Sequence, residues 1–92
     1  MGLYLVTYDL FKPEQNYTKL TEAIETYEDG LHLLQSVWVI KTDESISEIF
    51  NKLNNPLDLI NDKLLIVELT GKAKWLDFTK EERTWLNNHF DR

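Results

Sequence analysis

One carboxylate near the start of the chain lies in a setting that could support chemistry. Asp9 closes a short apolar segment, Leu3 to Leu10, and is followed by Leu10 and Phe11. A carboxylate at the carboxyl end of a central strand is a common position for a metal ligand or for a general acid or base. The simpler alternative is that Asp9 caps the following loop by accepting hydrogen bonds from backbone N–H groups. Taken alone, the residue pattern favours this loop cap.

The other candidate residues add little to Asp9. A single aspartate is a poor magnesium site, because such sites usually combine one or two carboxylates with water and substrate phosphates. Glu68 could be a second acid, although we interpret it as a charge at the rim of a sheet. His32 and His89 lack metal-ligand spacing, and Ser36 has no catalytic partners. Four aromatic residues could stack on nucleobases or could belong to the core, namely Tyr4, Tyr8, Phe11 and Trp38.

Composition excludes several classes of function. The chain has no cysteine, which rules out disulfides, thiolate zinc sites and cysteine nucleophiles. It also lacks phosphate-loop, dinucleotide, zinc-protease and kinase motifs. The net charge of −6 argues against a large, sequence-independent DNA footprint. No apolar stretch approaches the roughly 20 residues of a membrane span, and no basic segment opens the chain. We therefore expect a cytoplasmic protein with no membrane contact.

The first half of the chain predicts a strand, a helix and a hairpin. A length of 92 residues predicts a single domain. The run Leu3 to Leu10 predicts a strand. Apolar residues at helical spacing follow, with Asn16 as the predicted N-cap and Gly30 as the predicted end. The segment Leu31 to Lys41 predicts two strands joined by a turn at Gln35-Ser36, with a single bent strand as the alternative.

The second half of the chain predicts two capped helices and one strand. Ser45 with Glu48 forms a capping box, and Thr79 with Glu82 forms another. Between them, Lys63 to Thr70 predicts a strand. The predicted buried stripe of the second helix is Ile46, Ile49, Phe50 and Leu53. The predicted short last helix carries Trp85, Leu86 and Phe90.

The order of these elements is β-α-β-β-α-β followed by a tail. This order predicts an α+β protein of the ferredoxin-like class, with an antiparallel sheet and two helices on one face. Residues 1–70 would form the core. Residues 71–92 would form a C-terminal extension that packs on the core or on a partner subunit.

Both faces of the predicted strands are apolar. In the first strand, Leu3 and Leu5 point one way, and Tyr4, Val6 and Tyr8 point the other. A sheet with one solvated face would instead alternate apolar and polar residues. We therefore predict a two-fold homodimer that covers the second face. The rival cover is the C-terminal tail. If the two-fold axis passes near Asp9, the two carboxylates would share a metal or raise each other's pKa.

Three segments of the chain resemble the CRISPR-associated protein two family. Tyr-Leu-Val-Thr-Tyr8-Asp9-Leu, then Gln35-Ser36-Val37-Trp38, then Leu-Leu-Ile-Val-Glu occur in the order and spacing of that family, over roughly residues 3 to 70. The chain also resembles small stand-alone SinR-like proteins of that family, which share stretches that correspond to Tyr8–Pro13, Ser36–Ser45 and Leu64–Gly71. The virulence-associated protein D toxins share the same architecture more distantly.

The resemblance implies a ferredoxin-like homodimer whose sheets face each other. Some members of the family are metal-dependent endonucleases, so the resemblance also implies this activity. Asp9 would then correspond to the aspartate that binds Mg²⁺ or Mn²⁺. Other members are structural adaptors in spacer acquisition. The loop after Asp9 differs from the family because it is longer and lacks arginine, and the acidic surface weakens the DNA-adaptor interpretation.

The leading hypothesis is a Cas-two-like homodimeric endonuclease, a hydrolase acting on RNA or DNA in antiviral defence or a toxin–antitoxin system. The alternative is a non-catalytic module that binds a nucleotide-like ligand or a partner protein in a defence or counter-defence setting. A third hypothesis is an antitoxin-like or structural partner that uses the C-terminal tail. Asp9 is the catalytic and metal-binding candidate. The candidate ligand contacts are Tyr8, Phe11, Lys12, Ser36, Trp38 and Lys41.

Overall fold

The computed structural model describes residues 2–11 and 13–90. Within those ranges, the strands lie in one sheet in the order β2-β3-β1-β4, and each neighbouring pair is antiparallel. This arrangement fits the ferredoxin-like α+β class. The elements are β1 (Gly2–Asp9), α1 (Pro13–Glu25), β2 (Asp29–Leu34), β3 (Val37–Thr42), α2 (Ile46–Asn54), β4 (Lys63–Leu69) and α3 (Lys80–His89).

The core lies between one face of the sheet and the helices α1 and α2. Alternate residues of β1 and β3 point into it, and these are Tyr4, Val6, Tyr8, Trp38 and Ile40. The helices contribute Leu20, Ile24, Ile49 and Leu53, each no more than 1% exposed. Because successive side chains of a strand point to opposite faces, the other residues of β1 project from the second face.

The hairpin prediction is confirmed, but the predicted bounds of α1 are wrong. β2 and β3 are joined at Gln35-Ser36, as expected. α1 begins at Pro13 rather than after Asn16, since proline is tolerated where the first N–H groups of a helix have no partner. α1 ends at Glu25, and Gly30 lies in β2. A Cβ at Gly30 would lie 3.0 Å from Ile40 Cγ2, so this glycine permits close strand packing rather than ending a helix.

Both capping boxes are confirmed. Ser45 Oγ accepts a hydrogen bond from the Glu48 N–H at 3.1 Å, and Glu48 Oε1 accepts one from the Ser45 N–H at 3.0 Å. Thr79 and Glu82 form the same pair of bonds at the start of α3. The predicted stripe of α2 is only half correct. Ile46 and Phe50 are each 43% exposed and line a surface groove beside β4, because α2 buries a narrower face than the pattern indicates.

The second face of the sheet is only partly covered. α3 packs beside β2, buries Leu86, and bonds to Asp29 at the start of β2. On the β4 side, Leu65 is 56% exposed and Val67 is 39% exposed. We call the surface formed by Leu3, Leu5, Thr7, Leu65 and Val67 the open face. None of the helices in the described ranges is long and apolar enough to cross a membrane.

Replacing Ser45 by Ala should lower the free energy of unfolding by about 1 kcal/mol, because the first turn of α2 loses its cap. Ser47→Ala is the matched control, since Ser47 is exposed in the same helix and is not the cap. Urea unfolding followed by circular dichroism measures both variants. Equal midpoints for the two variants would contradict the assigned role of the Ser45 cap.

Candidate functional site

Asp9 is the last residue of β1 and is exposed. β1 alternates, with Tyr4, Val6 and Tyr8 buried in the core, so Asp9 belongs to the same face as Leu3, Leu5 and Thr7. Its carboxylate therefore lies at the rim of the open face, on the side of the sheet away from α1 and α2. β1 runs between β3 and β4, but its pairing with β3 stops at Thr7, so Asp9 is flanked by β4 alone.

Lys63 lies beside Asp9. The register of β1 and β4 pairs Asp9 with Lys63, so a carboxylate and an ammonium group share one end of the open face. A shallow depression of about 220 Å³ opens there, lined by Thr7, Tyr8, Asp9, Lys63, Leu64 and Leu65. Sequence reasoning missed Lys63. The signal was present, because antiparallel pairing of the first and last strands places the end of one beside the start of the other.

Tyr8 and Trp38 lie behind Asp9 on the core side of the sheet, and the main chain of Ser36 bonds to Tyr8. Trp38 Nε1 donates a hydrogen bond to Tyr8 Oη at 3.2 Å, and the Tyr8 N–H donates one to the Ser36 carbonyl at 3.3 Å. Burial is the main cause that raises the pKa of the Tyr8 hydroxyl. Both aromatic rings are buried, so their packing in the core fixes the position of the end of β1. The ring of Trp38 also stacks on His32, with centroids 4.2 Å apart.

Phe11 supplies an exposed aromatic ring just beyond Asp9. Its side chain is 63% exposed, and its N–H donates a hydrogen bond to Asp62 Oδ1 at 2.7 Å. This bond ties the segment after β1 to the loop that precedes β4. Leu59 and Ile60 in that loop are also exposed. Lys12, a predicted ligand contact, lies outside the described residues.

Lys41 lies at the other end of the sheet from Asp9. It pairs with Leu3 at the start of β1 and with Asp29 at the start of β2. Asp9 lies six positions after Leu3 on β1, which corresponds to roughly 20 Å. Within one chain, Lys41 therefore does not join the site at Asp9. Glu68 is also remote, because it pairs with Tyr4 near the start of β1.

A second group of polar side chains joins α3 to the sheet. Trp85 Nε1 donates a hydrogen bond to Asp29 Oδ1 at 2.8 Å, and His89 Nε2 lies 3.0 Å from Asp29 Oδ2. The rings of Trp85 and His89 are stacked, with centroids 3.8 Å apart. Sequence reasoning missed this group because Asp29 is 60 residues from His89, and no local spacing links them.

The donor atoms at Asp9 suit magnesium in type, but one chain supplies too few of them. Within residues 2–11 and 13–90, no three histidine or acidic side chains gather in a group that could hold a metal ion. The exposed Asp9 carboxylate offers the hard oxygen ligand that Mg²⁺ prefers, and such sites use one or two carboxylates with water and phosphate. A lone Asp9 is therefore a poor magnesium site, and a second carboxylate from another copy of the chain would improve the fit.

Comparison with known proteins gives a structural relative of unassigned function. No protein-family model and no curated protein matches the chain. Among solved structures, the fold is similar to the crystal structure of a hypothetical protein, TT1823, from Thermus thermophilus, with a TM-score of 0.72. The two sequences are 27% identical over 84% of this chain and 92% of that chain. The comparison supports the α+β fold class and says nothing about nuclease or binding activity.

Replacing Tyr8 by Phe should destabilise the protein by about 1–3 kcal/mol, because the buried Trp38 Nε1–H would lose its acceptor. Thermal unfolding followed by Trp fluorescence measures the change. Tyr17→Phe separates the two bonds of Tyr8, since the Tyr17 side chain also hydrogen-bonds to Tyr8 but leaves the acceptor of Trp38 in place, so this variant should be destabilised less than Tyr8→Phe. A Tyr8→Phe variant as stable as the wild type would contradict a role for this bond in holding the end of β1.

Proposed function

We propose that the protein is a homodimer assembled through the open face, in which the two Asp9 carboxylates bind a divalent metal and support phosphodiester cleavage of RNA or DNA. The observation that carries this proposal is the position of Asp9, which is exposed at the rim of a partly uncovered apolar sheet face. The resemblance to the CRISPR-associated protein two family adds the expectation of a role in antiviral defence or in a toxin–antitoxin system.

The exposed apolar side chains of β4 support the dimer. Leu65 and Val67 project from the edge strand on the side that α3 leaves uncovered. Burying apolar surface contributes about 25 cal/mol for each Å² removed from water, so an uncovered apolar sheet face favours a partner. A second copy is the simplest occupant, because a two-fold contact uses the same patch on both subunits.

A two-fold contact also explains how a lone carboxylate could become a site. Residues that lie near a two-fold axis meet their own copies in the partner. If the axis crosses the end of β1, each Asp9 approaches the other Asp9, and each Lys63 lies next to this pair. Two carboxylates in close contact repel each other, and a shared cation relieves that repulsion.

Each side chain at this end of the open face has a chemical task in the proposal. The paired Asp9 carboxylates would hold Mg²⁺ or Mn²⁺, which lowers the pKa of bound water and stabilises negative charge on a phosphoryl group. Lys63, in register with Asp9, would contact a non-bridging phosphate oxygen and offset its charge. The exposed ring of Phe11 would stack on a nucleobase next to the scissile phosphate.

A second candidate function is a non-catalytic module that binds a nucleotide-like ligand or a partner protein at the same place. The net charge of −6 favours it, because tight binding of a long nucleic acid requires many cationic contacts. A single nucleotide or short oligonucleotide requires fewer such contacts. Lys63 and Phe11 would then bind the ligand without any bond being cleaved.

Val67→Asp should convert the dimer into a monomer, because it would place two carboxylates in the apolar contact. Phe50→Asp is the matched control, since Phe50 is 43% exposed on α2 while Val67 is 39% exposed on the open face. Native mass spectrometry and light scattering at micromolar concentration measure the assembly. A monomeric wild type, or equal behaviour of both variants, would contradict the proposed interface.

Asp9→Asn should reduce cleavage of labelled RNA or DNA oligonucleotides by about 100-fold or more, because metal stabilisation supplies several kcal/mol. Assays should use Mg²⁺ and Mn²⁺, with EDTA as a blank and Glu68→Gln as the control at the far end of the sheet. Equal rates for wild type and Asp9→Asn would contradict the catalytic role of Asp9. A wild-type dimer that binds oligonucleotides but never cleaves them would support the binding module instead.

A further inference from the structure

The group that joins α3 to the sheet has an unusual hydrogen-bonding pattern at His89. The ring nitrogen Nδ1 lies 2.7 Å from the carbonyl oxygen of Trp85, and Nε2 lies 3.0 Å from Asp29 Oδ2. A backbone carbonyl oxygen only accepts hydrogen bonds, and so does an ionised carboxylate. Both ring nitrogens therefore face acceptors, and each needs its own proton to make its bond.

This geometry fixes the protonation state of the closed arrangement. A neutral imidazole carries one N–H group, so it could bond to Trp85 or to Asp29 but not to both. The doubly protonated imidazolium satisfies both contacts and forms an ion pair with Asp29. The stacked indole of Trp85 favours the same form, because an aromatic face attracts a cation.

The charges around His89 are consistent with an ionised Asp29. Burial would raise the pKa of Asp29, but hydrogen bonds from His89 and Trp85 outweigh it and hold that pKa below its ordinary value. Lys41, in register with Asp29 on β3, lowers it further. The carboxylate is therefore an acceptor over most of the pH range, and the proton in the His89–Asp29 contact belongs to the histidine.

The same pattern argues against a catalytic Asp–His pair. A general base must present a ring nitrogen with a free lone pair within reach of a substrate. In His89, one nitrogen is directed at Trp85 O and the other at Asp29. The group joins two elements of structure instead, since Trp85 on α3 lies 56 positions beyond Asp29 on β2 along the chain.

We propose that Asp29, Trp85 and His89 form a proton-dependent clasp that holds α3 against β2. The clasp is closed when His89 carries both protons and weakens when the imidazolium loses one. Its opening would release α3 and uncover apolar surface, including Leu86, which is otherwise buried. All three groups belong to one chain, so this inference does not depend on the proposed dimer or on chemistry at Asp9.

The direction of the pH dependence follows from the two protonation states. Because the closed clasp needs a proton on each ring nitrogen of His89, its contribution is present at lower pH and is lost as the pH rises. At the acid end, the contribution of Asp29 is lost as the pH falls through its lowered pKa. The clasp is therefore strongest between these limits.

Hydrogen exchange of the α3 amides tests the clasp directly. Protection factors, corrected for intrinsic exchange, should be measured at about pH 5.5 and about pH 8.5, on either side of ordinary imidazole titration. In the wild type, protection of residues 84–89 should fall by about tenfold at the higher pH relative to that of β1. His89→Gln should show low protection at both pH values and should lose this pH dependence.

Two further variants separate protonation from packing. Trp85→Phe keeps an aromatic ring but removes the Nε1 donor to Asp29, so it should lower protection by a similar factor at both pH values. His32→Gln, which alters the other histidine, should leave the α3 profile unchanged. NMR of the ¹⁵N-labelled wild type should show two N–H protons on His89 at about pH 5.5, on the acid side of ordinary histidine titration. A single N–H proton there, or wild-type protection that does not change with pH, would overturn the proposal.

Discussion

The structure depends on one constraint, which is that both faces of a small sheet are apolar while the two core helices lie on only one of them. α1 and α2 bury Tyr4, Val6 and Tyr8 from one side. The other residues of β1 project from the second face, which α3 covers only beside β2. The uncovered part lies over β1 and β4, and the Asp9 carboxylate lies at one end of it.

Burial of the core side determines where that carboxylate lies. Trp38 donates a hydrogen bond to Tyr8, and the Tyr8 N–H donates one to the Ser36 carbonyl. Together these bonds fix the orientation of the last residues of β1. Asp9 then has to project from the opposite face, next to Lys63. A shift of one residue in this register would direct Asp9 into the core and Tyr8 into water. The packing of Tyr8 therefore positions Asp9 without touching its carboxylate.

Features encoded over a few residues could be predicted from the sequence. The capping boxes at Ser45 and Thr79 were predicted because each depends on side chains three residues apart. The interpretation of Gly30 was wrong because a glycine after a helical pattern resembles a helix end. In the structure, Gly30 lies on β2 opposite Ile40 of β3, where a Cβ would come close to the Ile40 side chain. That contact exists only after the sheet has formed.

Features that depend on tertiary structure could not be predicted in the same way. Ile46 and Phe50 match the spacing of a buried stripe. Tertiary packing sets the orientation of α2 and leaves both side chains partly exposed in the groove beside β4. The bonds that Asp29 accepts from Trp85 and His89 join residues 56 and 60 positions apart. For Asp9, the sequence predicts the end of a strand, while its neighbour Lys63 depends on the β1–β4 register.

Cysteine cross-linking would test most directly whether two Asp9 side chains meet at a two-fold axis. The chain contains no cysteine, so Asp9→Cys introduces a unique thiol, and Leu69→Cys, in register with Leu3, provides the same thiol at the far end of the open face. A disulfide forms only when the two Cα atoms approach within about 7 Å, and a short bifunctional thiol reagent extends this reach. We predict rapid formation of a covalent dimer by Asp9→Cys and little by Leu69→Cys. A covalent dimer from Leu69→Cys alone, or from neither variant, would contradict a two-fold axis at Asp9.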